Sequence, residues 1–204
     1  WYNTSENANA RYSTNRLGFS PSLEFPLAER TRLELRYKIS SDEILDVDVN
    51  SSPILKAEEA LGSQITSALG YTISFDSQLS QTDPLSRTTL RFGQDFAGVG
   101  GDIESITTTG LARYERKVFN EEITLRAELE GGAVVSSGND TRLVDRFTGN
   151  GKIRGFEANG VGPRDLTVVN QDALGGNMFA VALFEAEFPL GLPEEYGITG
   201  GVFA

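Results

Sequence analysis

Strict period-two alternation constrains this chain more than any other feature. Leu33, Leu35, Tyr37 and Ile39 share one parity, and Arg32, Glu34, Arg36 and Lys38 share the other. Successive strand side chains point to opposite faces, so this run has one oily face and one charged face. The same pattern recurs on Leu17, Phe19, Leu23, Phe25 and Leu27, on Ile65, Leu69, Tyr71, Ile73 and Phe75, and on Leu90, Phe92 and Phe96. It returns on Ile123, Leu125, Ala127 and Leu129, and on the wholly apolar set Met178, Ala180, Ala182, Phe184, Ala186 and Phe188. Pro21 and Pro26 are awkward in a central strand and predict a bulge or frayed ends. Trp1 to Tyr12 is polar and only weakly strand-like, Asp102 to Lys117 is a strand with a blurred pattern, and Ile198 to Ala204 begins a last strand. Ile44 to Leu61 breaks the alternation as an excursion with one helical turn around Leu55 to Leu61. The pattern predicts about nine strands and no other helix.

Neighbouring strands joined by turns suit an antiparallel meander. The fold is all-β, and alternation leaves two architectures open. In a soluble sandwich or barrel the oily faces form a core; in a transmembrane barrel they face lipid and the charged faces line a watery lumen. Strands of roughly 10 residues, enough to cross a bilayer at a tilt, recur. Loop asymmetry tips the balance. Short connections at Ala28–Thr31, Val118–Glu121 and Gly191–Tyr196 fall on one side, and the excursions at Ile44–Leu61 and Val135–Gly176 on the other. Outer-membrane barrels have short periplasmic turns and longer external loops. A tight glycine-led hairpin at Gly98–Gly101 is the exception on the long side, and Asp83-Pro84 marks a further turn. About nine strands cannot close a bacterial barrel of even strand number, so the expectation is one partial barrel domain over residues 1–204.

Composition narrows the chemistry. The 204 residues contain no cysteine and no histidine, which excludes disulfides, Cys/His zinc sites and nucleophile–histidine triads. A net charge of −11 opposes nucleic-acid binding. No apolar run approaches about 18 residues, so no transmembrane helix is expected, and no signal peptide opens the chain. Mean hydropathy is −0.25, a value compatible with lipid-facing strands because alternation hides them. Asp46-Val47-Asp48-Val49-Asn50 imitates a calcium loop, but Ser51 stands where glycine is required and Ala57 where the bidentate glutamate belongs, so a solvated acidic loop is the reading. Glu121-Glu122 and Glu194-Glu195 are solvated turn charges with no base beside them. No metal, nucleotide or other cofactor is implied.

The stretch from Asp145 to Asn177 is a long glycine-rich loop that sets Phe147, Ile153, Phe156 and Val161 among glycines. Loops of this length are functional or disordered, and disorder wants low hydrophobicity and high net charge. This one reads as folded against something. Its segments Asp145-Arg146-Phe147, Ile153-Arg154-Gly155-Phe156, Gly160-Val161-Gly162-Pro163-Arg164-Asp165 and Gly175-Gly176-Asn177 resemble, in order, loop six of the BamA family of outer-membrane β-barrel assembly factors. The family motif is usually Val-Arg-Gly-Phe, so Ile153 is a conservative departure. Arg16-Leu17-Gly18-Phe19, Phe25-Pro26-Leu27, Arg36-Tyr37, Phe96 to Asp102 and Glu187-Phe188-Pro189-Leu190 look like further family motifs. By this resemblance the chain covers roughly strands five to thirteen of a sixteen-stranded barrel. The POTRA domains and the first and last strands, with the lateral seam between them, lie outside it.

The resemblance also implies a site. The family's loop arginine folds into the lumen to meet acidic wall residues; Arg154 matches the arginine and Glu185 the glutamate, the second acidic partner lying beyond Ala204. Parity agrees, because Glu185 lies opposite the apolar Met178–Phe188 face. Physically, an arginine in a partly dehydrated lumen needs a carboxylate, and its planar fork makes the pair directional. Gly155 lets the backbone turn, and Phe156 wedges against the wall. Asp145, Arg146, Phe147, Gly162, Pro163, Arg164 and Asp165 support the loop. The implied role is a structural latch without bond chemistry. The implied function is insertion of β-barrel proteins into a Gram-negative outer membrane, with the lipid bilayer, unfolded clients, BAM lipoproteins and periplasmic chaperones as partners. A polypeptide-secreting pore of the two-partner or autotransporter-assembly type, which shares the arginine motif, and a soluble β-sandwich binding module are the rivals. A hydrolase is the weakest reading, given the absence of a serine elbow.

Overall fold

The computed structural model describes residues 2–6, 12–80, 85–137, 141–191 and 198–204. Its strands are β1 (Tyr2–Glu6), β2 (Ser13–Phe19), β3 (Ser22–Ala28), β4 (Thr31–Leu45), β5 (Gln64–Asp76), β6 (Ser86–Ala97), β7 (Ser105–Val118), β8 (Ile123–Ser136), β9 (Met178–Pro189) and β10 (Thr199–Phe203). All pair antiparallel in one open sheet, in the order β1-β2-β4-β5-β6-β7-β8-β9-β10.

The remaining strand, β3, continues β2. Phe19 pairs with Ile39 and Ser22 with Arg36, so both lie along the same edge of β4. The interruption falls at Ser20-Pro21. Proline has no N–H to give the ladder, but its carbonyl still accepts from Tyr37 N–H at 3.1 Å. A register shift between Pro26 and Ala28 marks the second proline. With β2 and β3 counted as one interrupted strand, the expected nine remain.

Side chains sort as the alternation requires. Leu35, Leu69, Phe92, Leu129 and Phe184 stay exposed on the outward face, Phe184 by 61 %. The opposite face carries Arg36, Asp95, Arg113, Glu115, Arg126, Glu128 and Glu185, joined into ion pairs. No second sheet covers the oily face among the described residues, which overturns the soluble-sandwich alternative. Apolar outside and ionic inside is the arrangement that lipid and a watery lumen select. β4 to β9 run from 12 to 15 residues, longer than the about 9–11 needed to span a bilayer, so their ends project beyond it.

The buried apolar cluster sits at the long-loop end, where Ile44, Leu55 and Leu143 meet with Tyr12, Val47, Val144 and Leu174 around them. Leu55 belongs to α1 (Pro53–Ala60), a fuller helix than the single turn expected from sequence. Its start signal is present, since Ser52 Oγ accepts from Ile54 N–H at 3.2 Å and Pro53 follows at the first helical position. Gly62 follows the helix at φ +65°, the left-handed conformation common just past a helix end. In the acidic run before it, Asp48 Oδ1 accepts the Asn50 N–H at 2.7 Å in an Asx turn.

The glycine-led hairpin is also revised. Residues 98–104 are a wider connection that lies along β5, with Gly98 N–H on Ser67 O at 3.0 Å and Asp102 N–H on Ile65 O at 2.8 Å. β7 therefore begins at Ser105, not at Asp102. The turn expected at Asp83-Pro84 and most of the one at Gly191–Tyr196 lie outside the described residues.

Candidate functional site at the loop on the inner wall

Between β8 and β9, residues 141–177 fold back on themselves. Phe147 and Gly176 exchange backbone hydrogen bonds of 2.8 Å, and further in Leu174 N–H meets Pro163 O and Asp165 N–H meets Asp172 O, both at 2.9 Å. Within this stalk Asn150 Nδ2 donates to Asn159 Oδ1 at 3.0 Å, closing the base of the 151–158 tip. Arg146 Nε donates to the Thr141 carbonyl at 2.9 Å. Arg164 donates to the carbonyls of Gln171, at 3.0 Å, and of Asn159. Gly162 takes φ +122°, a conformation that disfavours side-chain-bearing residues, just before Pro163. These supporting residues brace the loop internally.

The tip presents Arg154 to the wall. Arg154 Nη1 donates to Glu185 Oε1 at 2.8 Å, and its guanidinium lies 5.0 Å from the Phe203 ring centroid. Glu185 is shared: Arg126 Nη1 donates to its other oxygen at 2.7 Å, while Arg126 Nε donates to Glu115 Oε1 at 2.9 Å. Register explains the row. Glu115 faces Arg126, Arg126 faces Glu185 and Glu185 faces Phe203 on consecutive strands. Acid and base alternate from wall to loop, so each charge has an opposite neighbour and few lone pairs are left bare.

A second cation from the same tip anchors two inward-facing rows further along. Lys152 Nζ lies 2.5 Å from Glu130 Oε1 and 4.6 Å from the Phe179 ring centroid. Phe147 packs on that ring at 4.8 Å. The pair fits because Gly132 lies beneath it, where a Cβ would come within 2.6 Å of Phe179 and 2.9 Å of Phe147. Sequence reasoning missed Lys152, Glu130, Arg126, Glu115 and Phe203. A signal existed for two of them, since Arg126 and Glu130 share the charged parity of their strand.

Of the motif residues, Ile153 is 36 % exposed and Phe156 60 %. The wedge expected of Phe156 is therefore not formed with the described wall. Gly155 takes φ +86° and redirects the chain after Arg154, whose guanidinium lies over Phe203 of the wall. Asp145 lies in a short 3-10 turn, where burial pushes its carboxyl above the usual range against the pull of Arg142 and Lys38.

Asp165 serves a different contact. Its Oδ2 accepts from Ser52 Oγ at 2.6 Å, and its Oδ1 accepts from the Thr167 N–H at 3.0 Å. Bonds from the Ser52 and Thr167 side chains hold its carboxyl below the ordinary range. A depressed acid contributes stability that is present above its unfolded pKa, about 3.9, and lost as pH falls through the folded value. Amide exchange in α1 is thus expected to be pH-independent, after correction for intrinsic rates, above about pH 5 and to rise below about pH 4. In Asp165→Asn that acid transition should disappear; its persistence would assign it to another group.

The whole of residues 1–204 matches the Omp85 superfamily domain. The chain is 32 % identical over 202 residues to the outer membrane protein assembly factor BamA of Neorickettsia risticii (strain Illinois), covering 98 % of this chain and 27 % of that protein. It is 27 % identical over 180 residues to the protein of the same name from Nitratidesulfovibrio vulgaris (strain Hildenborough), covering 85 % of this chain and 22 % of that one. It thus spans about a quarter of the length of these curated relatives. The fold is shared with the crystal structure of BamA from Haemophilus ducreyi lacking POTRA domains 1–3, at a TM-score of 0.77, 15 % identity, and coverage of 99 % of this chain and 43 % of that one. With an open antiparallel wall that is oily outside and ionic inside, and a family match along its whole length, the chain belongs to the Omp85 superfamily as part of an outer-membrane β-barrel.

Proposed function

We propose that this section works in a factor that folds and inserts β-barrel proteins into the Gram-negative outer membrane. The carrying observation is the long loop drawn over the inner wall and held there by Arg154 on Glu185 at 2.8 Å. The secretion-pore rival shares this arginine motif, so what favours assembly over secretion is the relatives, two of which are named as assembly factors. The latch stiffens the wall, while strand edges of the whole barrel recruit incoming strands, since unpaired backbone groups are intolerable in lipid. Unfolded barrel clients, BAM lipoproteins and periplasmic chaperones are the partners this role requires. No bond chemistry is needed.

The test uses the full-length parent in liposomes, following the folding rate of a small barrel client. Acceleration by the wild type that falls about fivefold in Arg154→Ala is expected, corresponding to roughly 1 kcal/mol of loop anchoring. No acceleration by the wild type would sink the reading in favour of a secretion pore.

A further inference from the structure

The latch at Arg154 is one end of the loop; the other end is held by the α1 excursion. Arg142, in the first part of the loop, is buried with 6 % of its side chain accessible, and its Nε donates to Glu58 of α1, itself 10 % accessible. The two Nη atoms of Arg142 have no hydrogen-bond partner among the described residues, so its one carboxylate hydrogen bond there is the one to Glu58. At the start of α1, Ser52 is fully buried and donates its N–H to Asp172 Oδ2 at 2.6 Å and its Oγ–H to Asp165 Oδ2 at 2.6 Å. Two loop carboxylates therefore sit where a helix presents its unsatisfied amides and positive dipole end. Leu55, fully buried, closes the contact against Leu143.

Neither partner holds this geometry alone. An eight-residue helix is too short to persist in water without tertiary contacts. Among the described residues the loop has no buried apolar cluster apart from the one it shares with α1. From the clasp a continuous set of bonds leads to the tip. Asp165 N–H meets Asp172 O at 2.9 Å, Arg164 ties Gln171 to Asn159, and Asn159 braces Asn150 at the base of the segment that carries Lys152 and Arg154.

We propose that α1 positions the latch: Glu58, Arg142, Asp165 and Asp172 are positioning residues that hold the loop so that Lys152 and Arg154 meet Glu130 and Glu185 on the wall. This rests on the latch reading of Arg154. Coupling of this kind is reciprocal, so whatever displaces α1 on the outside loosens the tip in the lumen, and freeing the tip loosens α1.

The test is hydrogen–deuterium exchange on the full-length parent in phospholipid nanodiscs, comparing wild type with Glu58→Gln and, independently, Asp172→Asn. Exchange in 151–158 is expected to quicken at least tenfold in both variants. β4 to β9 keep their protection, and the barrel still shows its heat-modifiable shift on gels. Lys56→Ala, on the exposed side of α1, serves as control and leaves the tip unchanged. If α1 loses protection while the tip keeps it, α1 merely rides on the loop and the proposal falls. It falls equally if tip and strands open together, since the loss is then general. Because exchange does not depend on client folding, a freed tip with normal client folding would refute the function assigned to the latch and leave the positioning intact.

Discussion

Replacing Glu185 by alanine is expected to slow client folding more than Arg154→Ala does, although both remove the same loop contact. Arg154→Ala leaves Glu185 bonded to Arg126 at 2.7 Å, so the wall keeps its charge balance. Glu185→Ala removes the carboxylate shared by both arginines and leaves Arg126 with Glu115 alone. Hydrogen bonds to charged groups contribute about 1.5–3 kcal/mol each. The Arg154 side is 55 % accessible and is discounted by solvent screening to about 1 kcal/mol. The Arg126 side, at 32 % and 15 %, keeps more of its value. Together these give about 2–3 kcal/mol, or roughly a 30- to 160-fold loss of loop anchoring. Client folding by the full-length protein in liposomes and amide exchange in 151–158 both read the difference. Equal losses in the two variants would mean that the Arg126 link carries no share of the anchoring.

The second large effect is expected at Gly70, far from the loop. Arg36, Gly70 and Asp95 are register neighbours on β4, β5 and β6. The Arg36 fork reaches over the glycine to grip Asp95, Nε to Oδ1 at 2.8 Å and Nη2 to Oδ2 at 3.0 Å. A Cβ at position 70 would overlap the Asp95 carboxylate and stand 3.0 Å from Arg36 Nε. Gly70→Val must therefore open the fork and leave both charges badly paired. The cost is about 3 kcal/mol, combining overpacking with the lost bidentate pair. The thermal unfolding transition of the barrel in detergent should drop by several degrees. Gly110 is the control, because a Cβ there meets nothing within 4 Å on the outward face, and Gly110→Ala should unfold with the wild type. A shared transition temperature for Gly70→Val and wild type would show that Asp95 can swing aside without loss.

These expectations divide along the line between local and distant information. Alternation is local, because a strand's two faces are written in adjacent residues. Leu33 to Ile39 and Met178 to Phe188 therefore announce their outward faces, and Glu185 announces its inward one. Loop lengths are local too, and their asymmetry favoured a membrane barrel over a soluble one. Arg154 was legible because its tip motif is contiguous.

What the tertiary structure decided is which inward charges meet. Arg126 and Glu185 are 59 residues apart and touch only because β8 and β9 pair in one register; a slip of one residue would turn each to the opposite face. Lys152 found Glu130 and Phe179, and Arg154 found Phe203, for the same reason: the loop's path across the wall is set by its cross-braces and not by its order of residues. The helix start at Ser52-Pro53 was written in the chain. Its persistence was not, because an isolated eight-residue helix lacks the packing to survive, and the carboxylates that cap this one come from more than a hundred residues away.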